Sequence, residues 1–209
     1  MAKENKPLMI FLAGTIYNEE NLIDRIHSKR YDFYGADGGI LFAEKLGLSL
    51  KHALGDFDSS PKPRQGKPLV YPAEKDQTDA ELALDLAIRE GYREIWLIAP
   101  FGGRMDHTIA NLCLLEKAQN NEVTLYLYDG MNLTFLIKKG NHILEDRYRY
   151  YSFFAWKNEA TLSLNGFKYP LNQYPLKPFD PIGVSNEAAA KEPSATIHEG
   201  IVLCICIEE

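Results

Sequence analysis

The feature that most constrains the fold is an alternation of short apolar runs and helical patterns over residues 1–130. The apolar runs occupy residues 8–13, 31–36, 69–72, 95–99 and 123–128. Between them, apolar residues recur with helical spacing over residues 21–28, 40–46, 82–88 and 109–118. Nearly continuous apolar strands that alternate with helices are typical of a parallel sheet covered on both faces. The pattern therefore predicts an α/β fold with an N-terminal, mostly parallel, three-layer domain.

The pattern changes at residues 129–132, which read Asp-Gly-Met-Asn. Beyond them, short segments of alternating apolar residues are separated by Gly, Pro and Asn turns, and helical periodicity is almost lost. Such spacing is typical of an all-β domain, here a small C-terminal sandwich. We therefore predict two domains, residues 1–130 and residues 131–209.

Two pairs of aspartates stand where strands end or helices begin. Asp56 and Asp58 point the same way if their segment is extended, and Asp76 and Asp79 have the spacing of neighbours on a helical first turn. If the two pairs adjoin, their repulsion requires a hard cation such as Mg²⁺, which usually also carries substrate phosphate oxygens. Each pair alone also fits turn or helix-dipole chemistry. Together they favour a metal–phosphate site.

Further polar segments follow predicted strands. Asp37-Gly38-Gly39 lets backbone amides approach a nucleotide, although Asp-Gly is also a common turn. Gly102-Gly103-Arg104 frees the backbone to wrap a phosphate and offers the planar fork of Arg104, or is a plain glycine turn. Because ligands bind at the carboxyl ends of strands in α/β sheets, we expect these segments to gather at one edge.

Polar residues at helix starts and in one late loop complete the set of candidates. Thr78, with Glu81 three residues later, matches a capping box. Asp106 fits an N-cap of the next helix, with a polar His107 after it. Residues 185–186, Ser-Asn, suit hydrogen bonds to a heteroaromatic amine, and a loop held by local side-chain bonds explains them equally well.

Composition restricts the partners and the compartment. A formal charge of −6 and a pI near 5.5 disfavour nucleic-acid and anionic-membrane surfaces. Three cysteines, Cys113, Cys204 and Cys206, are predicted to be buried thiols in a reducing compartment. The apolar run at residues 8–13 is too short to span a bilayer, and no signal-peptide pattern is evident. We expect a cytoplasmic protein.

Taken together, these segments resemble the thiamine pyrophosphokinase (thiamine diphosphokinase) family. No single motif is very specific, but the ordered set is, and it spans nearly the whole chain. The matching residues are 36–39, 55–59, 76–81, 102–107 with Asn111, 166–171 and 184–187.

The resemblance implies transfer of a diphosphate group from ATP to the hydroxyl of thiamine, which gives thiamine diphosphate and AMP. It also implies an α/β ATP-binding catalytic domain, a β-sandwich thiamine-binding domain, and a homodimer with active sites between protomers. Carried over, the catalytic and Mg²⁺ positions are Asp56, Asp58 and Asp79, with Asp76 beside them. The implied nucleotide-binding positions are Asp37, Gly38, Gly39, Thr78, Gly102, Gly103, Arg104, Asp106 and His107. The implied thiamine contacts are Ser185 and Asn186. Some family members carry an aromatic residue shortly after that Asn, whereas residues 187–190 here are Glu-Ala-Ala-Ala.

These features lead to a mechanistic hypothesis and two alternatives. The thiamine hydroxyl would attack the β-phosphorus of ATP in line, with Mg²⁺ neutralising charge and Asp79 orienting or deprotonating the hydroxyl. No Walker-type Gly-Lys-Ser/Thr loop is present in the sequence. A metal-dependent glycosyltransferase would use Asp56 and Asp58 but leaves Arg104 and the acidic helix start unexplained. A non-catalytic sensor of nucleotide or thiamine is the other alternative.

Overall fold

The computed structural model describes residues 6–55, 67–70 and 76–208 of the 209-residue chain. The chain divides into two compact units, Met1–Gly130 and Met131–Glu209. The described part of the first unit contains strands and four α-helices, whereas that of the second contains strands and one short 3₁₀ helix. This composition confirms the predicted α/β class.

The first unit is built on a parallel sheet. Its strands are β1 (Leu8–Phe11), β2 (Asp32–Ala36), β3 (His52–Gly55), β4 (Lys67–Val70), β5 (Glu94–Ile98) and β6 (Thr124–Tyr128). They lie in the order β6-β5-β1-β2-β3-β4, and each of these pairings of neighbours is parallel. The helices are α1 (Glu19–Ser28), α2 (Gly39–Lys45), α3 (Asp79–Arg89) and α4 (Met105–Asn120).

Burial explains why the strands of this unit read as continuous apolar runs. All four residues of β1 are fully buried, although successive side chains point to opposite faces of the sheet. The last four residues of β5 are buried in the same way. The central strands are therefore covered on both faces, and alternation with polar residues is lost. Pro68 lies in β4, which ends the strand order and so tolerates a missing N–H.

The amino ends of β2 and β3 carry a hydrogen-bonded cluster that we call the amino-edge network. Its members are Lys6, Asp32, Tyr34, Lys51, His52, Glu90 and Tyr92. Glu90, the C-cap of α3, lies at its centre. Burial raises the pKa of Glu90, but hydrogen bonds from Lys51, Tyr34 and His52 outweigh burial and lower it to about 2. The network ties the C-terminal end of α3 to two strands.

The second unit is antiparallel. Its strands are β7 (Asn132–Ile143), β8 (Tyr150–Ala155), β9 (Ala160–Asn165), β10 (Leu171–Leu176) and β11 (Ser194–Ile207). A 3₁₀ helix spans Pro181–Gly183. β11 pairs with β7 along its length, while its other side pairs first with β9 and then with β8. The register shifts where Gly200 has a φ of +81°, and a Cβ there would lie 2.8 Å from the Glu159 carbonyl oxygen. Glycine therefore permits the irregularity that divides β11 between two partners.

The cysteines divide into a buried pair and an exposed residue. Cys204 and Cys206 are buried on β11, and their Sγ atoms are 3.8 Å apart, as expected for two residues on one strand face. Cys113 is exposed on α4, so the prediction that it is buried is wrong. Its neighbours Leu114 and Leu115 take the buried face of this helix instead.

In the part of the chain that the structure describes, no helix is both long and apolar enough to cross a membrane. The cytoplasmic location stays a prediction.

Candidate functional site

A cavity of about 380 Å³ lies at the carboxyl edge of the first unit's sheet. It is bordered by the loops that follow β1, β2 and β5 and by the first turns of α3 and α4. Its lining residues are Leu12, Ala13, Gly14, Ala36, Asp37, Thr78, Asp79, Ala80, Ala99, Pro100, Gly102, Gly103, Arg104, His107 and Asn111. Parallel strands with near-equal register bring their ends together, so residues distant in sequence meet here. Seven predicted site residues line it, namely Asp37, Thr78, Asp79, Gly102, Gly103, Arg104 and His107.

Two lining residues hold a left-handed backbone directly after a strand. Asp37 has a φ of +48° and Ala99 a φ of +56°. The Asp37 N–H donates to the Leu54 carbonyl oxygen at 2.9 Å, and the Ala99 N–H to that of Tyr128 at 2.9 Å. Such conformations cost about 1–3 kcal/mol and persist where surrounding contacts over-determine them. The strain at both positions turns the chain sharply at the cavity wall.

The glycines near the cavity serve different purposes. Gly102 has a φ of +102°, and a Cβ there would lie 2.3 Å from Thr15 Oγ1, so this glycine is required by the backbone and by Thr15. Gly103 has a φ of +68° and would meet no atom within 4 Å, so its open side belongs to the cavity. Gly39 is outside the lining, and a Cβ there would lie 2.1 Å from the Phe11 carbonyl oxygen, which makes it a packing glycine. Gly38 lines a smaller cavity of about 220 Å³ nearby.

The start of α3 brings one predicted carboxylate to the cavity. Thr78 is the N-cap, and its Oγ1 accepts from the Glu81 N–H at 3.2 Å, so the predicted cap is confirmed. The Glu81 carboxylate does not complete the capping box, because it pairs with Lys117 instead. Asp79 is the first helical residue, whereas Asp76 precedes the N-cap. The prediction that Asp76 and Asp79 share a helical first turn is therefore wrong, and Asp76 does not line the cavity.

An exposed ion pair opens α4. Arg104 is the N-cap, without a capping side chain, so the reading of Asp106 as N-cap is wrong. Arg104 Nε donates to Asp106 Oδ1 at 3.1 Å, and Nη2 donates to Oδ2. The hydrogen bonds from Arg104 lower the pKa of Asp106 to about 2. Asp106 itself lies outside the lining, so its contact with the site passes through the guanidinium of Arg104.

Sequence reasoning gave several lining residues no role at the site, although it named Asn111 among the residues that match the family. Asn111 is buried, and its Nδ2 donates to the Pro100 carbonyl oxygen at 2.7 Å, which fixes the loop before α4. Residues 12–14 line the cavity because the Gly14 N–H binds the Ala99 carbonyl oxygen at 3.2 Å. The Gly14-Thr15 turn after the first strand was a signal that these residues reach the same edge. Ala99 gave no signal, since only its dihedral angles distinguish it.

The predicted metal ligands are only partly described. Asp56 and Asp58 lie outside the described residues. Oxygen-bearing side chains on the cavity include the Asp37 and Asp79 carboxylates, the Thr78 hydroxyl and the Asn111 amide. Within residues 6–55, 67–70 and 76–208, no three His, Cys, Asp or Glu side chains are grouped to hold a metal ion. Hard oxygen ligands of this kind suit Mg²⁺. Gly55, which directly precedes Asp56 in the sequence, is close to one of them, because a Cβ on Gly55 would lie 3.0 Å from Asp37 Oδ1.

In the second unit, the predicted pair Ser185 and Asn186 behaves unequally. Asn186 is buried, and its Oδ1 accepts from the N–H groups of Tyr169 and Glu187 at 3.0 Å each. Its Nδ2 donates to the Tyr169 carbonyl oxygen at 2.8 Å. Ser185 is exposed with a φ of +57°, and its N–H donates to Ser152 Oγ at 3.0 Å. The Asn186 amide thus joins two of the predicted loop segments, while Ser185 presents its side chain to solvent.

Comparison with known proteins gives consistent matches over both units. The family described as "Thiamin pyrophosphokinase, catalytic domain" matches residues 25–127, and "Thiamin pyrophosphokinase, vitamin B1 binding domain" matches residues 139–202. A thiamine pyrophosphokinase of Bacillus subtilis is 33% identical over 181 residues, which cover 82% of this chain and 85% of that protein.

Solved structures agree with these matches. The crystal structure of thiamine pyrophosphokinase from Bacillus subtilis superposes with a TM-score of 0.87 at 29% identity, covering 98% of this chain and 100% of that one. The crystal structure of thiamin pyrophosphokinase from Geobacillus thermodenitrificans gives a TM-score of 0.82 at 28% identity, covering 97% and 98%. The predicted resemblance is confirmed: the chain belongs to the thiamine pyrophosphokinase family and is an enzyme of that family.

Proposed function

We propose that this protein transfers the diphosphate group of ATP to the hydroxyl of thiamine, giving thiamine diphosphate and AMP. The observation that carries the proposal is the cavity at the carboxyl edge. It combines a carboxylate at a helix start, Asp79, with a guanidinium, Arg104, and an open glycine turn at Gly103. Family membership supplies the substrates, and the cavity supplies the groups that a polyphosphate needs.

The carboxylates are proposed to hold Mg²⁺. Asp56, Asp58 and Asp79 are the proposed ligands, with Asp76 beside them in the catalytic group. Support comes from Gly55, where a Cβ would lie 3.0 Å from Asp37 Oδ1, since the chain continues from Gly55 directly into Asp56. When bound, Mg²⁺ neutralises charge on the phosphate oxygens.

Cations and backbone groups are proposed to bind the phosphates. Arg104 is largely exposed and already oriented by Asp106, so a phosphate oxygen would compete with that carboxylate for the guanidinium. Gly103 leaves space for close approach, and His107 and Thr78 line the same cavity. Asp37, Gly38 and the packing residue Gly39 would shape the nucleotide end of the site.

The proton of the attacking hydroxyl is proposed to go to Asp79. This carboxylate is on the cavity and lies at the positive end of α3, where a negative charge is favoured. In-line attack on the β-phosphorus then expels AMP, and the hydroxyl oxygen of thiamine gains the diphosphate.

We propose that the second unit is a β-sandwich and that it binds thiamine. Ser185 is proposed to contact the pyrimidine. Asn186, also a predicted contact, has a side chain that already bonds the Tyr169 backbone. We further propose a cytoplasmic homodimer with active sites between protomers. The homodimer is supported by exposed apolar side chains in this unit, because such a surface is typically buried against a partner. They are Tyr169, Phe179, Ile182 and Val184.

One assay tests the activity. Purified protein is incubated with ATP, Mg²⁺ and thiamine, and AMP and thiamine diphosphate are quantified together. Equal amounts of both products are expected, with no reaction when Mg²⁺ is chelated. Reaction with UDP-sugars instead of ATP and thiamine would support the glycosyltransferase alternative. Binding of both substrates without release of AMP would support the sensor alternative.

A further inference from the structure

A partly buried cluster joins α3 to α4 away from the cavity lining. Lys117, near the end of α4, has its Nζ 2.8 Å from Glu81 Oε1 and 2.7 Å from Asp85 Oδ1. The Gln77 amide donates to Asp85 Oδ2 at 2.9 Å. We call Gln77, Glu81, Asp85 and Lys117 the α3–α4 clamp. None of its four members lines the cavity.

The clamp offsets an unfavourable charge arrangement. Glu81 and Asp85 are four residues apart on α3, so their like charges repel. Lys117 lies between them, and its side chain is 30% exposed, against 28% for Glu81 and 22% for Asp85. Burial lowers the pKa of Lys117, but hydrogen bonds to Asp85 and Glu81 outweigh burial and raise it. Removal of this one cation would therefore leave two half-buried carboxylates facing each other.

The clamp also fixes the residues that enter α3. Gln77 directly precedes Thr78 and Asp79, both of which line the cavity. Its hydrogen bond reaches eight residues forward to Asp85, so the entering segment is held against the side of its own helix. Asp85 is in turn held by Lys117 of α4, the helix whose first turn carries His107.

We propose that Lys117 is a positioning residue that sets the Asp79 carboxylate against the Arg104 and His107 side of the cavity. The inference rests on the proposed function, because it assigns Asp79 a part in binding Mg²⁺ and ATP. Lys117 acts through Gln77 and Asp85 and touches no substrate itself.

The test compares Lys117→Met with wild type and with Lys29→Met. Lys29 forms a similar pair with Glu94 at 3.1 Å, between the end of α1 and the start of β5. In Lys117→Met we expect kcat/KM for ATP to fall by roughly 10- to 100-fold and the half-saturating Mg²⁺ concentration to rise. Lys29→Met should leave both unchanged. Equal kinetics in the two variants would overturn the proposal.

Further variants separate positioning from general destabilisation. Lys117→Arg keeps a cation that reaches both carboxylates, so its Mg²⁺ requirement should return towards the wild-type value. Gln77→Leu removes one hydrogen bond and should raise the Mg²⁺ requirement in the same direction. In the double variant with Lys117→Met, Gln77→Leu should raise the Mg²⁺ requirement by less than it does alone, since both residues act on Asp85. Independent effects of the two changes would contradict the clamp.

Binding measurements distinguish failure of the inference from failure of the proposed function. Wild-type protein that binds Mg²⁺-ATP in a calorimeter but makes no thiamine diphosphate would refute the function. In that case weaker binding of Mg²⁺-ATP by Lys117→Met than by Lys29→Met would still support the clamp. Equal binding by the two variants would refute it.

Discussion

The two edges of the first unit's sheet use similar residues in opposite ways. At the amino edge, the Glu90 carboxylate accepts hydrogen bonds from Tyr34 at 2.8 Å, Lys51 at 2.6 Å and His52 at 2.7 Å. At the carboxyl edge, the Asp79 carboxylate and the Arg104 guanidinium line a cavity. A carboxylate held by three protein donors away from the cavity stabilises the fold, whereas charged groups on a cavity are placed to meet a ligand.

Strained backbone is also found at the carboxyl edge. Asp37 and Ala99, which follow strands at the carboxyl edge, have positive φ angles without being glycine. The comparison therefore predicts that changes at the carboxyl edge reduce turnover at nearly constant stability. Changes at the amino edge should reduce stability at nearly constant turnover.

Replacement of Asp79 should have the largest effect on turnover. Asp79→Asn keeps the side-chain shape but removes the charge proposed to bind Mg²⁺ and to accept the hydroxyl proton. We expect kcat to fall by about 10²- to 10⁴-fold. The free energy of unfolding should change by no more than about 1 kcal/mol, the usual contribution of an acidic residue in a helical first turn.

Steady-state kinetics and urea denaturation of the same preparation check this expectation. The control is Asp24→Asn, an exposed aspartate on α1 away from both edges. Near-wild-type turnover in Asp79→Asn would remove this residue from the mechanism.

Replacement of Arg104 should have the next largest effect. Arg104→Met removes the guanidinium proposed to bind phosphate but keeps much of the aliphatic length. We expect kcat/KM for ATP to fall by about 10- to 100-fold, because charge-assisted hydrogen bonds to phosphate are lost. Arg89→Met, an exposed change in the last turn of α3, serves as control. Identical kinetics in the two variants would mean that Arg104 pairs with Asp106 but does not bind phosphate.

Replacement of Glu90 should reverse the pattern. Glu90→Gln is expected to lower the free energy of unfolding at pH 7 by about 1–3 kcal/mol, because three donors lose a charged acceptor. Turnover measured well below the unfolding temperature should be unchanged. A large loss of kcat without loss of stability would show that the two edges are not separable in this way.

The effect of Glu90 should also depend on pH. Its pKa in the folded protein is about 2, below the ordinary value of 4.5, so the ionised carboxylate stabilises the fold above pH 4.5. That contribution is lost as the pH falls from 4.5 towards 2. The difference in stability between wild type and Glu90→Gln should therefore shrink over this range in urea titrations. A difference that stays constant down to the lower limit would contradict the assigned pKa shift.

The sequence predicted which residues gather at the carboxyl edge, but it did not predict the network at the amino edge. Asp37, Asp79 and Arg104 follow strands or begin helices, and parallel topology alone brings such positions together. Glu90, Lys51 and His52 meet through side-chain reach between elements, which no local pattern encodes.

The same limit explains the errors at the site. The position of Asp76 depended on where α3 begins, and Thr78 takes the cap with Asp76 outside the helix. Asp106 was predicted to be the N-cap of α4, but Arg104 occupies that position. Gly39, assigned to the nucleotide, also packs against the Phe11 backbone, which no local pattern reveals. Element boundaries and close backbone contacts arise from tertiary packing, so the sequence alone does not determine them.

Two glycines provide the finest test of the comparison. Gly103, on the cavity, has a φ of +68°, and Gly47, just beyond α2, has a φ of +71°. A Cβ at either position would meet no atom within 4 Å. Substitution by Ala should therefore cost each variant a similar amount of stability, about 1 kcal/mol, from the left-handed backbone alone.

The two variants should differ in binding. The added methyl of Gly103→Ala enters the space proposed for phosphate, so KM for ATP should rise several-fold, whereas Gly47→Ala should keep the wild-type KM. Thermal denaturation and ATP titration of both proteins check the pair. If both variants lose the same stability but only Gly103→Ala raises KM, the rise in KM comes from contact with the ligand and not from backbone strain. Equal KM values would mean that the phosphates do not approach this glycine.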